Sequence, residues 1–383
     1  MLTPKPRRIR RRTGPSSIQR AHRAHRAQRI RRLPAAAALT TAALALAGCS
    51  LGAGPSDDAT DPGPDPAPQV VQVVTHDSFA VSEDLIADFE AETGYTVELS
   101  APGDGGSLVN QLILTRDAPL GDVAYGVDNT FASRALEEDV FAAYDSPELP
   151  ASAEEYRIDD GADLMPIDVG DVCLNIDTEW FQDNDLDQPE TLADLTEPAY
   201  ADLMVVTHPA NSSPGLAFLA ATVGEFGSDW EQYWADLNDN GLLVVDSWST
   251  AYSEEFSGSV GEGPRPIALS YSTSPAFEID DDGQVSTEAM MQSCLRQVEY
   301  AGVLAGAENT DGGQAFIDFL LSDEVQADIP DQMFMYPVND EIDLPTEWVQ
   351  WAPLADDPIE VDPGEIDTNR EEWIQTWSEI VVG

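Results

Sequence analysis

The order of strand and helix patterns after residue 69 restricts the fold most strongly. Residues 70–75 are a β-branched run, which indicates a buried strand. A helix pattern follows, with Ser82 at its start and Gly94 at its end. Residues 95–99 and 122–126 read as strands that flank a second helix. This β-α-β-α-β order predicts a parallel sheet covered by helices.

The same alternation returns later in the chain. Apolar runs predict three more strands, and helices are predicted after residue 213 and near residues 313–321 and 322–329. The three strands cover 203–207, 242–245 and 267–271. Two α/β halves with polar loops at strand ends favour an α/β fold with a ligand cleft between two lobes.

Charge is divided unevenly along the 383 residues. Twelve of the 18 basic residues lie between Lys5 and Arg32, so the chain after residue 48 holds six Arg against all 71 acidic residues, a formal charge of −65. Nucleic-acid binding needs clustered Lys and Arg and is excluded. The apolar fraction of 42% argues against a disordered acidic chain. We attribute the acidity more to adaptation to salt, or to solubility, than to attraction of a ligand.

The N-terminus has the pattern of an export signal. An Arg-rich stretch precedes a short apolar segment, and residues 1–48 therefore read as a signal peptide that ends in a lipobox before Cys49. Residues 49–68 are rich in Pro and predict a flexible tether. We expect a lipid anchor on Cys49 at the outer face of the cell membrane, or a periplasmic location. The alternative is an Ala-rich leader that is cleaved elsewhere.

The sequence gives little support for catalysis. Beyond the leader the chain has two His, His76 and His208, and it lacks the Gly-x-Ser-x-Gly, His-Glu-x-x-His and P-loop motifs. Acidic residues are so numerous that pairs of carboxylates are expected by chance, and no spacing supports a metal site. We predict a binding protein without a catalytic residue, metal or cofactor.

Three loops have the character of binding loops. Residues 211–215 place hydroxyls and free N–H groups at a helix start, which suits an anion, although an ordinary N-cap has the same residues. Residues 104–107 form another helix start in which glycines allow close approach. Trp248 and Tyr271 follow strand ends and precede small polar residues.

Seven segments in order resemble the thiamine-binding solute receptors of bacterial ABC importers. The resemblance extends over roughly residues 70–380, and each segment alone is weak. The segments are 75–79, 104–108, 122–129, 212–216, 247–252, 269–276 and 335–338.

The resemblance implies a two-lobed type II periplasmic-binding fold that closes on thiamine, its monophosphate or its diphosphate. It implies a permease and its ATPase as partners. On this fold, residues 69–167 and 295–325 would form lobe 1, and residues 168–294 and 326–383 would form lobe 2. A ligand with a permanent cationic ring suits aromatic faces and carboxylates.

The resemblance also implies a set of ligand-binding residues. The phosphate-side positions are Asp104, Gly105, Ser212 and Ser213. The cradle positions are Trp248, Tyr271, Ser272, Thr273 and Ser274, with Asp77 on the first loop. The chain departs from the family pattern at three positions, where His76 and Phe277 replace Tyr and Phe334 replaces Trp. These changes keep aromatic faces at 277 and 334 but lose hydrogen-bonding groups.

Two other functions stay open. A receptor for another solute, of the iron or polyamine type, has the same kind of fold, but iron receptors use adjacent tyrosines and this chain has no Tyr-Tyr pair. A secreted thiamine-degrading enzyme would need a nucleophilic thiol, for which Cys173 or Cys294 is available.

The same two cysteines predict a disulfide. An exported protein commonly pairs an even number of cysteines. Cys173 and Cys294 lie in the segments that would cross between the lobes, and such crossings run side by side in two-lobed receptors. We expect a Cα separation of about 5–6 Å. The alternative is two buried, unpaired thiols.

Overall fold

The computed structural model describes residues 69–158, 161–280 and 282–383. The predicted signal peptide, the lipobox with Cys49 and the tether lie outside the described residues. Within the described ranges, no helix is long and apolar enough to cross a membrane.

Ten strands in the described part of the chain form one mixed sheet. The order of the eight principal strands is β2-β1-β3-β9-β5-β8-β6-β7, while β4 pairs with β9 and β10 pairs with β5. The strands are β1 (Gln69–His76), β2 (Tyr95–Gly103), β3 (Val123–Asp128), β4 (Phe141–Ala142), β5 (Met165–Asp177), β6 (Met204–Thr207), β7 (Leu243–Val245), β8 (Ile267–Tyr271), β9 (Thr287–Leu304) and β10 (Tyr336–Pro337).

Two long strands join two parallel groups of the sheet. Strands β1, β2 and β3 run parallel to one another, and so do β6, β7 and β8. Between them, β5 and β9 pair antiparallel and are much longer than the other described strands, with 13 and 18 residues. All 13 residues of β5 are buried. A strand covered on both faces shows a weak alternating pattern, which is why its full length is hard to predict.

Helices connect the strands and cover the sheet. They are α1 (Glu83–Thr93), α2 (Gly105–Leu114), α3 (Ala132–Glu137), α4 (Thr178–Asp183), α5 (Ser213–Phe226), α6 (Trp230–Asp239), α7 (Trp248–Thr250), α8 (Thr310–Leu320), α9 (Asp323–Gln332), α10 (Trp348–Trp351) and α11 (Pro363–Val381). Short 3-10 turns cover Ala151–Tyr156, Leu192–Thr196, Pro198–Tyr200, Gly227–Asp229 and Ser274–Glu278, and a π turn covers Ala251–Glu255.

The helix ends mostly follow their local sequence signals. Gly94 ends α1 with a φ of 76°, a left-handed conformation that glycine adopts at little cost. Ser82 occupies the N-cap position of α1, but its hydroxyl accepts no bond from a helix N–H and instead donates to Asp328 at 2.6 Å. Thus Ser82 ties the start of α1 to α9.

A disulfide joins β5 to β9 at the centre of the sheet. It links Cys173 to Cys294, which are both fully buried, with a Cα separation of 4.3 Å. This separation is shorter than the expected 5–6 Å, and the two residues lie at an irregularity in the pairing of β5 with β9, between the pairs Val172–Leu295 and Leu174–Met290.

Candidate functional site

A cavity lies where the ends of β1 and β8 meet the starts of α2, α5 and α7. Eight of the residues predicted from the sequence line it, and five further residues complete the wall. The predicted ones are Asp104, Ser213, Trp248, Tyr271, Thr273, Ser274, Phe277 and Phe334, and the others are His76, Ser78, Glu299, Met333 and Met335.

Four other predicted residues lie beside the cavity and do not line it. Gly105, Ser212 and Ser272 are buried behind its wall. Asp77 is partly exposed, and its backbone N–H donates to the carbonyl of Gly103 at 2.9 Å. In this structure Asp77 therefore holds the loop after β1 against β2.

Aromatic rings form one side of the cavity. Trp248 stacks on Tyr252 with a centroid distance of 5.4 Å and an angle of 10° between the ring planes, and its edge meets Tyr271 at 6.2 Å. The indole Nε1–H donates to Ser270 Oγ at 2.8 Å, which fixes the orientation of the ring. A planar ligand can stack on such a fixed, partly exposed aromatic face.

Phe277 and Phe334 form a second aromatic pair across the site. Their rings stack on each other, and Phe334 also packs among Trp348 and Ala352. Phe334 has a φ of 59°, which is uncommon for a residue with a large side chain. This backbone conformation turns the ring of Phe334 from the end of α9 toward the cavity.

Asp104 connects two of the segments that form the wall. Its carboxylate caps α2 by accepting from the Gly105 N–H at 2.7 Å, and it accepts from the Trp248 N–H at 2.9 Å. Burial raises the pKa of Asp104, although these hydrogen bonds oppose the rise. A Cβ at Gly105 would overlap Ser213 Oγ, so the glycine lets the starts of α2 and α5 approach each other.

The two serines at the start of α5 have different surroundings. Ser213 lines the cavity and donates to the buried carboxylate of Asp128. Ser212 is fully buried, and its hydroxyl donates to Thr207 at 2.9 Å. The start of α5 thus faces the cavity through Ser213.

A buried network of titratable side chains at the cavity escapes the sequence analysis. Glu299 lines the cavity and accepts from Tyr125 at 2.7 Å, while His76 Nε2 lies 3.3 Å from the same carboxylate oxygen. The Tyr125 hydroxyl also contacts Asp168. Only the position of Glu299 among apolar strand residues signals this network in the sequence, and in so acidic a chain that signal is weak.

Burial and neighbouring charges shift the pKa values in this network. Burial disfavours a charged imidazole, but the Glu299 carboxylate outweighs it and raises the pKa of His76 to about 9. Burial alone would raise the pKa of Glu299, yet the charge and hydrogen bond of His76 hold it below its usual value. Burial and the charge of Glu299 raise the pKa of Asp168 well above its usual value. The network therefore favours the ionised form of Glu299 and the protonated form of Asp168.

The cavity suits a planar cation. Aromatic faces attract positive charge, and carboxylates accept hydrogen bonds from amino groups. The residues that line the cavity include Asp104 and Glu299 but no Lys or Arg. In the described ranges, no three His, Cys, Asp or Glu side chains are placed to hold a metal ion.

An α/β sheet crossed by two long central strands, with an aromatic and acidic recess at strand and helix ends, is typical of a solute receptor. The family described as bacterial extracellular solute-binding protein matches residues 118–355, and the chain belongs to this family. The resemblance predicted from the seven segments is confirmed by relatives called thiamine-binding periplasmic protein. That of Escherichia coli (strain K12) is 28% identical over 325 residues, or 82% of this chain and 94% of the relative. That of Brucella suis biovar 1 is 25% identical, and the match covers 81% of this chain and 92% of the relative.

Solved structures confirm the predicted type II fold. A periplasmic thiamin binding protein superposes with a TM-score of 0.71 at 28% identity and covers 82% of this chain and 96% of its own. Iron-bound HitA from Pseudomonas aeruginosa has a TM-score of 0.66 at 20% identity, and the match covers 82% of this chain and 99% of the HitA chain. The latter similarity concerns the fold alone. The lobe boundaries given above stay a prediction.

Proposed function

We propose that this protein is an extracytoplasmic receptor that binds thiamine or its phosphates and delivers them to an ABC importer. The observation that carries the proposal is the cavity, in which fixed aromatic rings lie beside Asp104 and Glu299 without a lining Lys or Arg. A thiazolium ring is a planar, permanent cation, and such a wall stabilises it through ring faces and carboxylates. The relatives named for thiamine binding support the same ligand.

The start of α5 is the part of the cavity that would distinguish thiamine from its phosphates. We propose that a phosphate would approach Ser213 and the neighbouring N–H groups, because a helix N-terminus favours an anion. The buried carboxylates of Asp104 and Asp128 lie beside this position. Both carboxylates accept hydrogen bonds from neighbouring N–H or hydroxyl groups, which disperse the negative charge that a phosphate would meet.

A thermal-shift panel tests the ligand class. The panel contains thiamine, both thiamine phosphates, spermidine and ferric citrate. A ligand at 100 times its Kd stabilises the folded state by about 2.7 kcal/mol, which corresponds to a rise in Tm of roughly 5–10 °C. A rise with spermidine or ferric citrate and none with thiamine would favour the alternative receptors.

We also propose that the protein has no thiamine-degrading activity. Both cysteines of the described ranges are buried in the disulfide, so neither offers a free thiol to the cavity. Chromatography after incubation with thiamine tests this point, because a degrading enzyme releases separate pyrimidine and thiazole products. Recovery of intact thiamine is the expected result.

The lipid anchor and the permease partner follow from the sequence and the resemblance. We propose that Cys49 carries the anchor and that the folded body meets the permease at the outer membrane face. Incorporation of labelled palmitate into the wild type, and its loss in Cys49→Ser, is the expected result. Equal labelling of both proteins would contradict it.

A further inference from the structure

Among the residues that line the described cavity, His76 alone can carry a positive charge, and its Nε2 lies 3.3 Å from a carboxylate oxygen of Glu299. Glu299 is 5% exposed and His76 is 9% exposed, so neither charge is well hydrated. The second carboxylate oxygen of Glu299 accepts from Gln297 Nε2 at 3.1 Å. Glu299 is thus held on the wall by three side chains, and of these three only His76 can carry a positive charge.

The geometry of the imidazole matches its neutral form. Nδ1 of His76 lies 3.2 Å from the backbone N–H of Ser78 and accepts from it, while Nε2 faces Glu299. A second proton would sit on Nδ1 and point at the Ser78 N–H, so that two donors would face each other. The position of the ring therefore favours loss of that proton.

The charges around the His76 ring favour the protonated imidazole when no cationic ligand is present. Glu299 attracts the proton most strongly, and Asp104 and Asp77 act in the same direction. The other titratable groups of the network are Tyr125, Asp128, Asp168 and Tyr271, whose charged forms burial disfavours. The proton on His76 consequently depends on the negative charge of Glu299.

We propose that a cationic ligand and the proton on His76 compete for the carboxylate of Glu299, so that binding of the cation releases a proton. A cation placed in the cavity supplies the positive charge that Glu299 otherwise obtains from His76. The imidazole then returns to its neutral form, in which Nδ1 accepts from Ser78. The pair acts as a selector of ligand charge, and the inference rests on the proposed binding of thiamine.

Calorimetry in two buffers measures the released proton. Thiamine is titrated into wild-type protein at pH 7.5 in HEPES and in Tris, whose ionisation enthalpies differ. We expect release of close to one proton per thiamine bound, and a Kd that falls by about tenfold for each unit of pH between 6 and 8. His76→Gln keeps a neutral donor toward Glu299 and should bind with little dependence on pH. Glu299→Gln should bind thiamine at least about tenfold more weakly, without proton release.

His208→Gln provides the matched control. His208 lies outside the cavity wall, where its ring contacts Trp377, and its replacement should leave the proton release unchanged. A neutral analogue of thiamine in which carbon replaces the thiazolium nitrogen should bind the wild type without releasing a proton.

Two results would overturn the inference, and both are measured on the wild-type protein. The first is thiamine binding by the wild type with the same enthalpy in both buffers, which would leave the proposed function standing. The second is an NMR titration of the free protein in which the His76 ring is already neutral at pH 7. Failure of thiamine and of both its phosphates to bind would refute the proposed function, and with it the exchange of a proton for this cation.

Discussion

Trp248→Ala separates a ligand-binding ring from a ring of the core. The substitution removes the indole that stacks on Tyr252 but keeps the backbone N–H that donates to Asp104. Stacking of a ligand ring or cation on an aromatic side chain contributes about 1–3 kcal/mol, so the Kd for thiamine should rise by roughly 5- to 150-fold. Because Trp248 is only partly buried, we expect a loss of unfolding free energy of about 2 kcal/mol, below the range for fully buried Trp.

Trp234→Ala is the matched control. Trp234 is 1% exposed and lies between Phe218 and Trp377, away from the cavity wall. Its removal should cost about 3–5 kcal/mol of unfolding free energy, while the folded fraction keeps its affinity. Calorimetric titration gives the Kd, and urea unfolding gives the stability. If Trp248→Ala lost stability like Trp234→Ala but bound thiamine with unchanged Kd, Trp248 would be a core residue alone.

Three further perturbations test other parts of the account. Replacing Cys173 and Cys294 together by Ala should lower the unfolding free energy by about 4–5 kcal/mol, because the disulfide closes a loop with a sequence separation of 121. Equal urea midpoints for the wild type and this variant would contradict the prediction. Replacing Ser212 and Ser213 together by Ala should lower the affinity for the thiamine phosphates more than the affinity for thiamine itself. An equal loss of affinity for all three ligands, measured by calorimetry, would argue against a phosphate position at the start of α5. Burial raises the pKa of Glu278 from 4.5 to about 7, so the folded state holds a proton that the unfolded state loses, and stability falls as the pH rises through this window. Glu278→Gln should therefore change stability little at pH 4 and increase it by about 3 kcal/mol at pH 8, as measured by urea unfolding at both values.

Local patterns predict the regular parts of this fold well. The β-branched run before His76, the stop at Gly94 and the glycine-rich start of α2 each determine a neighbouring element by local rules. These signals work because strand burial and helix termination depend on a few adjacent residues. Strand β8 even matches its predicted bounds, Ile267–Tyr271.

Other elements depend on partners that lie far along the chain. Helix α11 (Pro363–Val381) was not predicted, because its first half is mostly polar and the Trp residues that bury it pack against distant elements. Strand β9 has 18 residues because β3, β4 and β5 all pair with it. No local pattern carries that information.

The charged part of the site was missed for a similar reason. Glu299 faces the cavity because β9 pairs with β3 in a register that sets Glu299 opposite Asp128. His76 and Tyr125 come from two other strands. In a chain with 71 acidic residues, its place among apolar strand residues distinguishes this carboxylate only weakly from the solvated ones. The turn that directs Phe334 inward likewise depends on a left-handed backbone that a Phe residue does not predict.

Calorimetric titration of the folded protein with thiamine, thiamine monophosphate and thiamine diphosphate tests the central claim most directly. We expect saturable binding of at least one of the three ligands with one site per chain. Its heat should fall sharply in Trp248→Ala titrated under the same conditions. Absence of heat with all three ligands at several temperatures, on protein whose circular dichroism shows it to be folded, would contradict the assignment of this cavity to thiamine.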